Sequence, residues 1–241
     1  MRIAISGTSN VGKSTLIDGF LKRWPMYKTT QKSYRDILSP KKHSSKTSTE
    51  TQWKVLNWMT DELQKTSKKD KIVFDRCPWD NLAYSFWAYG KNKGKITQAF
   101  MDKTIAVVKE SLRFLDIIFW IPFNENIPVV EDGVRDTNLE YIQEVDNIFN
   151  SLHNQFLNNV EANVFYPKND CPCIIKLEGV TLNQRLDYIG EYLDENGELY
   201  GDEHSLFNPQ NLNTMEALLK HHANVAQQEQ HEKALYDKFK I

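Results

Sequence analysis

The sequence predicts an α/β fold: a five-stranded, mainly parallel sheet flanked by helices and extended by a C-terminal helix. Three observations predict it. Short apolar runs alternate with amphipathic helical stretches over residues 1–194, the pattern of strands joined by crossover helices. The run Ile117–Phe123 is almost wholly apolar and ends near a proline, as a central strand covered on both faces should. The first strand also passes through a glycine-bounded turn straight into a helix.

Taken in order, Arg2–Ser6 reads as a short buried strand and Gly7–Gly12 as a turn. Lys13–Trp24 reads as a helix whose Leu16, Ile17, Phe20 and Leu21 share an inner face. Pro25 closes that helix because its ring removes a backbone donor. A weak second strand follows near Met26–Thr30, and the polar, aperiodic stretch 39–49 reads as a loop. Thr49–Ser67 is a predicted helix with Trp53, Leu56, Met59 and Leu63 along one side. Lys71–Asp75 is the next buried strand. Pro78–Tyr89 is a helix with proline near its start, where a missing N–H does no harm. Helix Gln98–Leu115, strand Ile117–Phe123, helix Leu139–Leu157, strand Cys173–Leu177 and helix Leu182–Leu193 complete the unit. Residues 195–241 read as a turn-rich linker and a polar helix over Thr214–Lys240, suited to packing along the domain or pairing two copies as a homodimer.

Composition narrows the function. Hydrophobic residues make up 40% of the 241, enough for a real core. The formal net charge is −2, so no global field draws the chain to nucleic acid or to an anionic membrane. Cys77, Cys171 and Cys173 form neither a disulfide framework nor a zinc spacing, which fits a reducing compartment. No stretch approaches the ~20 apolar residues of a membrane span, and the N-terminus lacks a signal-peptide pattern. The expected location is the cytoplasm.

Gly7-Thr8-Ser9-Asn10-Val11-Gly12-Lys13-Ser14 matches G-x-x-x-x-G-K-[ST] in full. Glycines let successive N–H groups turn inward as a nest for phosphate oxygens, and the helix behind adds its positive dipole end. This is a P-loop. Lys13 supplies a point charge to the β and γ phosphates and the Ser14 hydroxyl a ligand for Mg²⁺. The expected nucleotide-binding set is therefore Gly7, Asn10, Val11, Gly12, Lys13, Ser14 and Thr15, with ATP and Mg²⁺ as cofactors.

A second motif follows the third strand. Asp75 ends an apolar run, and the C-terminal ends of parallel strands gather at one edge, so its carboxylate should arrive beside Ser14 as a second metal ligand. Asp75-Arg76-Cys77-Pro78-Trp79-Asp80 continues to Tyr84. Arg76 directly after the acid suits a site that handles two anionic groups. The plainer alternative is a helix start in which Asp80 stabilises the first turn and Arg76 forms a surface ion pair.

Together, the P-loop and Asp-Arg-x-Pro-x-Asp-x-x-x-Tyr (Asp75, Arg76, Pro78, Asp80, Tyr84) resemble the deoxynucleoside and thymidylate kinase group. The closest likeness is to the small AAA-type P-loop kinases of bacteria and their phages, over residues 1–194. The resemblance implies a P-loop NTPase fold. It implies that Asp75 serves as general base or metal partner and that Arg76 binds substrate or the transferring phosphate. It places a lid at about 124–138, with Arg135 reaching the γ phosphate and Arg113 as a helper. It sets Tyr34, Arg35, Arg76 and Asp80 at the acceptor, and Glu178-Gly179-Val180-Thr181 beside the adenine. Aromatics among Trp53, Trp58, Trp79, Phe86 and Trp87 can stack on a base, although most fall at helical spacing and read as core.

The expected activity is transfer of the γ phosphate of ATP to a nucleoside or nucleotide. Lys41, Lys42 and Lys46 leave room for an acceptor nucleotide within DNA. An NTP-hydrolysing switch is the rival. It is disfavoured because no second acid adjoins Asp75 to activate water and no Asn-Lys-x-Asp reads a guanine.

Overall fold

The computed structural model describes residues 1–37, 48–125, 127, 137–158 and 164–200, without the side chains of Tyr34 and Arg35. The expected tail helix over 214–240 lies outside the described residues. So do most of the 39–49 loop and of the 124–138 segment.

Five strands form one sheet in the order β2-β3-β1-β4-β5, every pairing parallel: β1 (Arg2–Ser6), β2 (Lys28–Thr29), β3 (Ile72–Asp75), β4 (Ile117–Trp120) and β5 (Cys173–Lys176). The helices are α1 (Lys13–Arg23), α2 (Tyr34–Ile37), α3 (Thr49–Gln64), α4 (Pro78–Gly90), α5 (Gln98–Leu112), α6 (Leu139–Asn158) and α7 (Leu182–Gly190). The sheet is all parallel rather than mainly so. β2 is shorter than Met26–Thr30, and both its residues are exposed. None of the described helices is long and apolar enough to cross a membrane.

The continuous apolar runs are explained by two cores. Side chains alternate across a strand, so Ala4, Phe74, Ile118, Trp120 and Ile174 join the core under α3–α6. Their neighbours Ile3, Ile5, Val73, Ile117, Phe119 and Ile175 join the core under α1 and α7. Side-chain caps start several helices. Ser48 accepts the Thr51 N–H, Thr97 the Phe100 N–H and Thr181 the Gln184 N–H, each satisfying a donor the helix cannot.

The α3–α6 face is built on aromatic rings. Phe149 lies 4.9 Å from Trp79, centroid to centroid, and also meets Trp120 and Tyr84. Trp79 Nε1 donates to Tyr166 Oη at 2.9 Å, which donates to the Leu152 carbonyl at 2.8 Å. On the other side of the molecule the chain from 194 to 200 stays packed. Trp24 Nε1 donates to the Asp194 carbonyl, Tyr27 Oη donates to the Gly197 carbonyl, and Lys71 pairs with Glu198. Packing therefore continues through residues 194–198.

Two tests follow from this packing. Phe149 is fully buried, so Phe149→Ala should lower unfolding stability by about 3–5 kcal/mol, read from urea denaturation. Asp146 of α6 accepts the Phe123 N–H at 2.8 Å, fastening the chain as it leaves β4. Burial pushes its carboxyl from 3.8 up to about 6, partly offset by that hydrogen bond and by Lys176. The folded state thus holds this proton more tightly than the unfolded chain, so Asp146 lowers stability progressively as pH rises from the ordinary value through the folded one. Asp146→Asn keeps an acceptor oxygen without the charge. Its urea midpoint should gain on the wild type between pH 4 and pH 7, and equal pH profiles would refute the assignment.

Candidate active site

β1 and β3 end side by side. Ile5 is in register with Asp75, and the Arg76 N–H donates to the Ile5 carbonyl at 3.0 Å. Beyond Ser6 the chain turns through Gly7–Gly12. Gly7 sits at φ 137°, and a Cβ there would stand 2.5 Å from the Ile121 carbonyl oxygen. Glycine is required by both conformation and space. Asn10 is also left-handed, at φ 63°, which asparagine tolerates better than most residues. α1 starts directly behind, with no acidic residue in its first turn and Lys22 and Arg23 in its last, so its positive end faces the loop.

Lys13 is buried, and its Nζ donates to the carbonyls of Gly7, at 2.9 Å, and Thr8. Ser14 and Thr15 are exposed, while Val11 is buried. Ser9, Asn10, Gly12, Lys13 and Ser14 line one open cleft together with Asp75 and Arg76. Of these lining residues, Asp75 has a buried Oδ1 with no hydrogen-bond partner among the described residues. Buried polar atoms are nearly always paired, and Mg²⁺ takes oxygen ligands such as carboxylates and hydroxyls. Asp75 and Ser14 therefore fit the metal.

Asp80 is placed differently from the expectation that it binds substrate. It is 1% exposed, and its carboxylate faces the protein. Oδ2 accepts from the Ser6 hydroxyl and from the Cys77 N–H at 3.0 Å. Oδ1 accepts from the Gly7 N–H at 3.2 Å and from Arg76 Nη1 at 3.0 Å. The reason is local: Asp80 is the third residue of α4, where an acid reaches back to the N-cap. Nor is Arg76 a surface ion pair. It is 6% exposed, Nη1 also donates to the Gly7 carbonyl at 3.0 Å, and the guanidinium lies 5.1 Å from the Tyr84 ring centroid. Its backbone is left-handed at φ 75°, a strained conformation for a residue with a side chain.

The remaining predicted residues divide. Tyr34 and Arg35 open α2, just beyond the end of β2 and so at the sheet edge that carries Gly7 and Asp75. Arg135, Lys41, Lys42 and Lys46 lie outside the described residues. Arg113 cannot help at the cleft. It follows α5 at the opposite edge of the sheet, where it meets Glu110 and Asp170. Trp79 and Trp87 are core, and Trp53 and Phe86 pack against it. Trp58 lines a separate groove with Lys54 and Lys65 on the outer side of α3.

Two residues of the site had no role assigned from sequence. Tyr84 stands between Arg76 and Ser9, whose Oγ is 3.4 Å from its hydroxyl; its place in the Asp-Arg motif was the available signal. Arg185 of α7 donates through Nη1 to the Val11 carbonyl at 2.7 Å, a contact 174 residues apart along the chain that nothing local announces. Asp80→Ala would strand the buried Arg76 and the donors of Gly7 and Cys77. It should cost about 3–5 kcal/mol of unfolding stability, measured by denaturant titration; a loss below about 1 kcal/mol would show that the pairing contributes little.

Comparison with known proteins agrees with this geometry. A protein-family model described as an AAA domain matches residues 2–162. No curated protein matches the chain in sequence. Among solved structures, deoxyadenosine kinase from M. mycoides, with products dCMP and a flexible dCDP bound, is 17% identical with a TM-score of 0.60, and the match covers 79% of this chain and 97% of that one. Thymidylate kinase from Candida albicans is 18% identical with a TM-score of 0.52, over 83% of this chain and 95% of that one. NadR protein in complex with NR is 14% identical with a TM-score of 0.55, over 79% of this chain but 51% of that one. The fold is thus the P-loop fold that nucleoside and nucleotide kinases also use, and with the family model spanning most of its length the chain belongs to the AAA-domain family of P-loop proteins.

Proposed function

We propose that the protein is an ATP- and Mg²⁺-dependent kinase that transfers the γ-phosphoryl group to a nucleoside or nucleotide. The observation that carries this reading is one cleft in which Asp75, with an unpartnered buried oxygen, meets Lys13, Ser14 and Arg76. A P-loop alone binds phosphates. A carboxylate and a guanidinium on the adjacent strand end add what transfer to a second substrate needs.

In this reading the loop amides and Lys13 hold the β and γ phosphates of ATP and offset charge that spreads over the transferring oxygens. Mg²⁺, held by Ser14 and Asp75, would supply further charge neutralisation at those phosphates. Where the acceptor is a hydroxyl, Asp75 takes up its proton as the new P–O bond forms and the bond to the departing ADP breaks. A phosphate acceptor makes no such demand and relies on the cations alone. Tyr34 and Arg35 hold the acceptor beyond β2, and Arg76 faces the phosphoryl group from β3. Arg135, by its likeness to kinase lids, adds a cation on closure and helps exclude water. Residues 178–181 flank the donor base, and there Val180 stands 50% exposed, an apolar surface for a base face.

The test is a screen with labelled ATP against nucleosides, nucleoside monophosphates and DNA oligomers. One acceptor class should stimulate ATP consumption and become labelled. Turnover that ignores every acceptor would instead mark an NTP-hydrolysing switch. With the active acceptor, Lys13→Ala and Asp75→Asn should each lower kcat/KM by about 10²–10³ while circular dichroism stays unchanged.

A further inference from the structure

The strongest unassigned feature is Arg185, whose side chain joins two loops on the flank of the cleft away from Asp75. It is 5% exposed, and its guanidinium spans between backbone carbonyls. Nη1 donates to Val11 of the P-loop at 2.7 Å, and Nε donates to Gly179 of the β5–α7 connection at 3.1 Å. Each loop is shaped to receive it. A Cβ on Gly12 would stand 3.1 Å from Arg185 Nη1, so the P-loop glycine leaves room for the guanidinium. On the other side Gln184, the neighbour of Arg185, accepts the N–H groups of both Val180 and Thr181 through Oε1. Thr181 in turn caps α7. The 178–181 segment is thereby folded onto the first turn of α7, and Arg185 fastens that assembly to the P-loop.

The cation is no surface decoration. Burial pulls its pKa down from the usual arginine value, and no carboxylate pairs with it among the described residues. Two carbonyl acceptors hold it in place of an acid. An arginine suits this task because its planar fork reaches two acceptors in fixed directions, where a lysine offers one point charge. α7 packs closely on α1. Gly19 of α1 lets the helices approach so closely that a Cβ there would meet Leu182 Cδ1 at 2.9 Å, and Arg23 pairs with Asp187 at 2.7 Å.

From this juxtaposition we infer that Arg185 is a positioning residue for the donor nucleotide, setting the base-flanking segment 178–181 in register with the phosphate cradle. The inference rests on the proposed reading that a nucleoside triphosphate lies with its phosphates in the P-loop and its base beside Val180. A ligand that uses both loops then gains from their fixed spacing, whereas one that uses the cradle alone does not. The effect belongs to binding of the donor and leaves recognition of the acceptor untouched.

The experiment compares ATP with inorganic tripolyphosphate, each with Mg²⁺, by isothermal titration calorimetry on the full chain. The wild type should bind both. Arg185→Met, which keeps the apolar stem, should weaken ATP binding about tenfold more than tripolyphosphate binding. In the acceptor assay KM for ATP should rise while KM for the acceptor stays constant. Equal weakening of the two ligands would reduce Arg185 to a support of the P-loop and overturn the inference, as would unchanged ATP affinity. If Arg185→Met melts below the assay temperature, Arg185→Lys, which replaces the planar fork by a single ammonium, carries the same comparison. A wild-type protein that binds neither ligand would refute the kinase reading itself, a result distinct from either outcome above.

Discussion

The buried carboxylate of Asp80 is the contact on which the rest of the site depends. β1 and β3 are joined by their backbone ladder as far as Ile5 and Asp75, and beyond that point the chains diverge into a loop and a helix. Asp80 closes the gap with four hydrogen bonds, to Ser6 and Gly7 from the first strand and to Arg76 and Cys77 from the second. An isolated charge at this depth would be prohibitive, and a fully paired one is tolerable and directional. It fixes where the phosphate loop begins relative to the acid that faces it.

Rigidity at the P-loop is then supplied from both flanks. On one side Arg76 ties the Gly7 carbonyl to Asp80 and rests on Tyr84. On the other Arg185 holds the Val11 carbonyl, while Lys13 bonds carbonyls at the start of the loop. Where these side chains touch the loop they engage its backbone oxygens, those of Gly7, Thr8 and Val11. Donors held in place before a ligand arrives need no reorganisation when charge develops. The strain of a left-handed Arg76 is sustained because its neighbours determine its position several times over.

The aromatic face has a supporting role. α4 carries Asp80 at its first turn and Tyr84 one turn later, and Trp79, Tyr84 and Trp87 of the same helix pack on Phe149 and Tyr141 of α6. The helix that carries Asp80 and Tyr84 is therefore stiffened by a core of rings. That packing answers the question that spacing left open for these aromatics. Helical periodicity identifies which residues share a face, but burial depends on what lies opposite, and here it is Phe149 and Tyr141.

The sequence by itself determined the strands, six of the seven described helices, the phosphate loop and the arrival of Asp75 at the same edge. Each of those follows from local pattern: apolar period, glycine spacing and the common direction of parallel strands. Only the tertiary structure decided that Asp80 also reaches Ser6 and Gly7, that Arg76 is buried in the cleft wall, that Arg113 belongs to the opposite edge and that Arg185 reaches Val11. A motif states which chemical groups are present, whereas the partner of a charge is set by which element folds against it. For Asp80 the cap to Cys77 and the ion pair with Arg76 are local, but the contacts to Ser6 and Gly7 lie more than seventy residues earlier, and no local rule of capping or periodicity carries that part.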